Sequence, residues 1–175
     1  VQDYKVTFTF LVPPILIALV LSPLADKYDL STIKSFASGA AYLSKELCQM
    51  VNKRYGISIT DGYGMTETSP IVSLQTQNDL SLNKLNVGRL VSNTEAQIID
   101  MNTNKLLGPN EIGEIWLRGP QVMLGYLKND EANAKTFIPH ANDKDRFLRS
   151  GDIASIDENG YITLHDRVKD IIKYN

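Results

Sequence analysis

Residues 61–70 read DGYGMTETSP, with Tyr63 between two glycines and Glu67 between Thr66 and Thr68. Glycine lets a backbone approach a ligand closely or take a positive φ. The tyrosine ring can face a flat group, a threonine hydroxyl can donate to an anionic oxygen, and a carboxylate can hold a divalent cation sharing that oxygen. An aromatic base joined to a phosphate, with magnesium, uses all of these features, so a nucleotide is the natural ligand. A glycine-rich turn with a capping threonine accounts for the same residues taken alone. The stretch is neither GxxxxGK[ST], since no lysine follows the second glycine, nor GxGxxG.

The flanking pattern shows how such a motif would be carried. Val6–Val12 reads as a buried strand, followed by a core helix with Pro13-Pro14 at its start and Ser22-Pro23 after its end. Lys34–Ser38 is a short strand entering Gly39. A helix follows from Ser44 to Tyr55, with Ser44 as cap, Glu46 in the first turn and Gly56 after the last. Ile57–Thr60 alternates as a strand and runs into the motif. Strand, helix and strand with short links predict a parallel sheet, and the crevice beyond its strand ends is where open α/β folds bind ligands.

After residue 86 the texture changes. Glu95–Asp100, Glu114–Arg118 and Tyr161–His165 alternate between Asn-, Gly- and Pro-rich loops, and Asn159-Gly160 signals a hairpin joining Asp152–Ile156 to Tyr161–His165. One helix opens at Asn129. The expected class is α/β, with part of a mixed, largely parallel sheet and its helices over residues 1–85. An antiparallel β subdomain follows over 86–166, then a hinge and the start of a further domain over 167–175.

Composition narrows the partners. Eighteen basic and twenty acidic residues leave a net charge of −2 over 175 residues, which argues against nucleic acid or an anionic membrane as the main partner. The single cysteine, Cys48, excludes an internal disulfide. The apolar run Phe8–Leu21 is too short to span a bilayer and is divided by its prolines, so no membrane span is expected. His140 and His165 read as ordinary residues, no spacing suggests zinc, and GxSxG is absent. The opening at Val1 and the ending at Asn175 suggest a piece of a longer protein.

Four further signatures accompany the motif in order: SGAAYLS (38–44), LRGPQVMLGY (117–126), RSGD (149–152) and DRVKDIIKY (166–174). With LVPPI and GEIWLRG, the set resembles the adenylate-forming superfamily over essentially the whole chain, in particular 4-coumarate–CoA ligases and related acyl-CoA synthetases. The resemblance implies activation of a small aromatic or fatty carboxylic acid with ATP and Mg²⁺, giving acyl-AMP and then transfer to coenzyme A.

It also implies roles. Tyr63 would stack on adenine, with the Ala40-Ala41 backbone on the opposite face. Asp61 and Gly62 would lie near the exocyclic amine and the acyl group, and Gly64 and Met65 would complete the nucleotide-binding stretch. Thr66 would meet the phosphate and Glu67 would bind Mg²⁺, both as catalytic residues. Asp152 would grip the ribose hydroxyls, with Arg167 nearby. Lys169 would be the hinge, and Lys173 would join the catalytic site in one domain orientation. Ala37, Ala40, Gly62, Pro70 and Ile71 would line the acyl pocket. Taken alone, Asp152 reads as a turn residue, Arg167 as the partner of Asp166 or Asp170, and Lys169 and Lys173 as solvated positions.

Tyr42 stands where the family usually has proline. The lysine-bearing loop for the β- and γ-phosphates and the lysine that orients the carboxylate are both missing from these residues, so the chain alone is expected to be inactive. A luciferase-like or carrier-loading enzyme keeps the same site, and a non-catalytic nucleotide-binding module is the alternative from another class. Cytosol or peroxisome is the expected compartment.

Overall fold

The structure, a computed structural model, describes residues 1–39, 43–76, 78–79, 86–142 and 145–168. The first half is built from β1 (Phe8–Phe10), α1 (Pro13–Leu21), β2 (Ser35–Ser38), α2 (Lys45–Tyr55), β3 (Ser58–Gly64), β4 (Ile71–Leu74) and β5 (Arg89–Leu90). These strands form one mixed sheet in that order. β1, β2 and β3 run parallel, and β3, β4 and β5 antiparallel.

Local chemistry sets the bounds of α2. The Ser44 hydroxyl accepts from the Leu47 N–H at 3.2 Å, satisfying one orphan donor of the first turn. Gly56 takes the left-handed conformation that ends the helix, with φ +67°. Leu47 and Val51 then pack with Leu16, Phe36, Ile57 and Ile59 into a core on the helical side of the sheet. Fully buried side chains such as Leu16 and Val51 contribute about 2 kcal/mol each.

The first strand and helix differ from the sequence reading. β1 is an edge strand of three residues, with Phe8 45% and Phe10 67% exposed. In α1 only Pro13 and Leu16 are buried, while Ile15, Ile17 and Leu21 are exposed. A run that is apolar all round reads as core from sequence. Among the described residues, however, α1 finds packing partners on one side only.

The second half contains β6 (Glu95–Ile99), β7 (Gly113–Arg118), α3 (Asp130–Thr136), β8 (Phe137–Asn142), β9 (Asp145–Ile156) and β10 (Ile162–Arg167). Its sheet is antiparallel throughout, in the order β10-β9-β7-β6, with β8 also on β9. The expected hairpin joins β9 to β10. Gly160 has φ +81°, and the Asp157 carboxylate accepts from the N–H groups of Asn159 and Tyr161. Asn129 caps α3 by accepting from the Ala132 N–H. One apolar core joins the two sheets, drawing Tyr63 and Val72 from the first, Val87 from the segment leading into β5, and Ile98, Ile115, Leu117, Leu148 and Ile162 from the second.

Two further differences bear on the site. The polar stretch around His140 lies in a strand, β8, because Phe137 is drawn into the shared core opposite Leu148 of β9. The motif itself is also not a loop. Asp61–Gly64 is the second half of β3, and Thr66–Thr68 is a single 3₁₀ turn leading back into β4. Thr68 is fully buried and closes that turn, its hydroxyl donating to the Pro70 carbonyl at 2.7 Å and accepting from the Met65 N–H at 3.2 Å.

The glycines are explained by strand pairing. Neither Gly62 nor Gly64 has a positive φ. A Cβ on Gly64 would stand 1.8 Å from the Pro70 carbonyl oxygen, and one on Gly62 would stand 3.0 Å from that of Ser73. Gly64→Ala is expected to lose roughly 3 kcal/mol in chemical denaturation, because backbone would have to move. Gly151→Ala has φ +73° but open space around the new methyl, and should lose only about 1–2 kcal/mol. Equal losses would rule out the cross-strand contact as the reason for Gly64.

Candidate nucleotide site

Four of the sequence signatures meet in space. Tyr63, on β3, is buried, and its hydroxyl donates to Asp152 Oδ2 on β9 at 2.6 Å, across 89 residues of chain. Burial, and then the neighbouring Asp152 carboxylate, push the tyrosine pKa far up, so the hydroxyl stays a donor. Asp152 is 5% exposed. Its other oxygen, Oδ1, accepts from Arg167 Nε of β10 at 2.9 Å, so Arg167 pairs with Asp152 rather than with Asp166. The register places Arg167 directly opposite Asp152 in the β9–β10 ladder.

The RSGD turn is held by a residue that the sequence did not single out. Glu114 of β7 is 4% exposed, and its Oε2 accepts from Arg149 Nη2 and Trp116 Nε1, each at 2.9 Å. Its Oε1 accepts from the Gly151 N–H at 3.1 Å. The Ser150 hydroxyl donates to the Ile115 carbonyl and accepts from the Asp152 N–H. Strand alternation disguised Glu114, since an acidic residue in GEIWLR reads as a solvent-facing position; the returning β9 strand supplies the donors of Arg149 and Gly151 beside that of Trp116.

The catalytic candidates sit at the turn after β3. Thr66 is exposed, and its hydroxyl has no partner among the described residues. Glu67 is half-buried; its Oε1 accepts from the Tyr126 hydroxyl at 2.8 Å and its carbonyl from the Met123 N–H at 2.8 Å. Together with Met65, Glu114, Tyr126, Arg149, Ser150 and Gly151, Glu67 borders a cleft of about 240 Å³. No group of three His, Cys, Asp or Glu side chains gathers among the described residues. One carboxylate completed by phosphate oxygens and water is nonetheless the usual donor set of Mg²⁺ beside a nucleotide, and Glu67 fits that set.

The remaining candidates lie along both flanks of β3. Ala37, 1% exposed, pairs with Thr60, and Ser38 pairs with Asp61. Ile71, 38% exposed, pairs with Gly64 beyond the exposed Pro70. Two polar groups stand side by side in the β2–β3 pairing, Ser38 at the end of β2 and Asp61 in the middle of β3. The Ser38 hydroxyl is buried with no partner among the described residues, and Asp61 has its pKa pushed up to about 6 by burial. Ala40, Ala41, Lys169 and Lys173 lie outside the described residues, so their assignments rest on the sequence. No helix among the described residues is long and apolar enough to cross a membrane.

The sequence profile of AMP-binding enzymes matches residues 1–127. The chain belongs to this family. Luciferin 4-monooxygenase of Photuris pensylvanica is 42% identical over 174 residues, covering 99% of this chain and 31% of that protein. 4-Coumarate–CoA ligase 1 of Petroselinum crispum is 40% identical over 178 residues, covering 99% and 32% respectively. The crystal structure of an anthranilate–CoA ligase in complex with anthranoyl-AMP matches with a TM-score of 0.83 at 25% identity, over 99% of this chain and 32% of that one. The chain therefore spans about a third of the length of the curated relatives it matches. The family and the mixed α/β fold agree with the sequence reading.

Asp61 makes the stability of this family member pH-dependent in a defined direction. Below about pH 4 the carboxyl is protonated in both folded and unfolded chains. Between about 4 and 6 the unfolded chain ionises while the folded one, held up by burial, does not, so stability falls as pH rises through that window. Asp61→Asn is expected to raise the urea midpoint at pH 7.5 and leave it unchanged at pH 4. The Gly62 N–H that donates to Asp61 Oδ1 can still be accepted by the amide oxygen.

Proposed function

We propose that the chain is the nucleotide- and acid-binding portion of an ATP-dependent acid–CoA ligase that works through an acyl-AMP intermediate. The observation that carries this reading is the Tyr63–Asp152–Arg167 array beside the exposed Thr66 hydroxyl and the Glu67 carboxylate. The reading takes these as an aromatic ring, a ribose-binding carboxylate, a phosphate donor and a metal carboxylate.

In this reading each residue has one task. Each Asp152 oxygen has spent one lone pair, on Tyr63 or on Arg167, and each keeps another for a ribose hydroxyl. Tyr63, with the Ala40-Ala41 backbone, borders the adenine, and Asp61 and Gly62 stand between its amine and the acyl group. Gly64 and Met65 carry the backbone to Thr66, which donates to the α-phosphate. Glu67 holds Mg²⁺, which when bound neutralises phosphate charge. The carboxylate oxygen of the acid attacks the α-phosphorus and the bond to pyrophosphate breaks. The thiol of coenzyme A then attacks the acyl carbonyl, loses its proton, and AMP leaves. Ala40, Gly62, Pro70 and Ile71 are small or apolar, as is the buried Ala37, which suits an aromatic or fatty acid without a second charge. Lys169 supplies the hinge between the two half-reactions, and Lys173 enters the site in one of them.

A second reading keeps the adenylating site and ends in oxidation of the adenylate. The 42% identity to a luciferin 4-monooxygenase favours it. Supplying luciferin and oxygen, or coenzyme A, to the full-length protein separates the two.

The site itself is tested by calorimetric titration of AMP into the chain. Binding is expected, and Asp152→Asn should weaken it at least tenfold by removing one of the two acceptor oxygens. Binding that survives this change would remove the ribose role. Acid-dependent ATP–pyrophosphate exchange is expected from the full-length protein and not from these 175 residues alone, which lack both lysine-bearing segments.

A further inference from the structure

We infer that Tyr126 is a positioning residue for Glu67, fixing which carboxylate oxygen a divalent cation meets. The inference rests on the nucleotide–magnesium reading above and concerns a residue to which that reading assigns no role. Tyr126 and Glu67 are 59 residues apart in sequence, yet one short segment holds Glu67 at two points. The Tyr126 hydroxyl donates to Oε1, and the Met123 N–H donates to the Glu67 carbonyl, each at 2.8 Å.

The segment is itself anchored. The Tyr126 N–H donates to Asn133 Oδ1 at 2.7 Å, and Asn133 Nδ2 donates back to the Tyr126 carbonyl at 3.0 Å. Arg146 donates to the Leu124 carbonyl from the far side. Gly125 has φ +148°, a backbone conformation that residues with a side chain rarely adopt. The tyrosine hydroxyl is thus placed by a braced backbone.

The consequence lies in the free oxygen. Glu67 Oε1 is taken by Tyr126, whereas Oε2 accepts nothing among the described residues, and the side chain borders the cleft. A carboxylate tethered through one oxygen presents the other in a fixed direction. Mg²⁺ demands near-ideal octahedral geometry. No group of three carboxylate, His or Cys side chains gathers among the described residues, so the direction of that oxygen bears on affinity. Hydrogen-bond partners of metal ligands commonly act in this way.

The test is calorimetric titration of ATP into wild-type chain, Tyr126→Phe and Glu67→Gln, with Mg²⁺ and with a chelator. Electron paramagnetic resonance with Mn²⁺ in place of Mg²⁺ reads the metal's surroundings directly. Wild-type chain should bind ATP more tightly with the metal, and Glu67→Gln should abolish that gain. Tyr126→Phe should lose about tenfold of it, with metal-free affinity unchanged and an altered Mn²⁺ spectrum. Full metal-dependent tightening in Tyr126→Phe overturns the inference and leaves the nucleotide reading intact. An equal loss with and without metal also overturns it, as a merely structural role would predict. Absence of any metal effect in wild-type chain defeats the reading and the inference together. Asn133→Ala loosens the same segment without touching Glu67 and is read identically should Tyr126→Phe fail to fold.

Discussion

The hydrogen bond from Tyr63 to Asp152 is the constraint around which the molecule is arranged. It joins the end of a strand in the first sheet to the middle of a strand in the second. A short O–H···O⁻ contact between two buried side chains is worth about 1.5–3 kcal/mol when made. The two sheets must therefore close to within a narrow distance. The apolar core that Tyr63 shares with Ile115, Leu117 and Leu148 supplies the driving force for that closure. The hydrophobic term is large and undirected, and the polar pair is smaller and sets the register.

Around this pair the site is preorganised in layers. Glu114 fixes the turn that delivers Asp152, the Met123–Tyr126 segment fixes Glu67, and Thr68 closes the turn that carries Thr66. Each support satisfies buried donors or acceptors that would otherwise be costly. Among the described residues the Thr66 hydroxyl, Glu67 Oε2 and the Ser38 hydroxyl beside Asp61 are left without partners. A site that leaves few groups unpaired has little to reorganise when a charged ligand arrives.

The boundaries of α2 and the β9–β10 hairpin were legible from sequence because Ser44, Gly56 and Asn159-Gly160 act over one or two turns of chain. Beyond that range legibility failed in specific places. β8 and the long β9 were hidden because Phe137 and Leu148 need each other across the sheet, and neither stretch alternates cleanly by itself. The glycines of DGYGMTE were attributed to ligand approach, whereas Gly64 is needed because the Pro70 carbonyl crosses within Cβ distance. Arg167 was given neighbours in sequence as its ion-pair partners, and found its partner across a ladder.

The residue types, their order and the short-range punctuation were therefore enough to determine the family, the α/β class and the inventory of chemical groups. What each group is bonded to was decided by the tertiary structure alone. Tyr63–Asp152, Glu114–Arg149 and Tyr126–Glu67 each join distant segments, and no periodicity or cap records such a pairing. Local propensity acts over a few residues, whereas satisfying a buried charge requires closing the whole chain. Which oxygens remain free for a ligand is settled only by that closure.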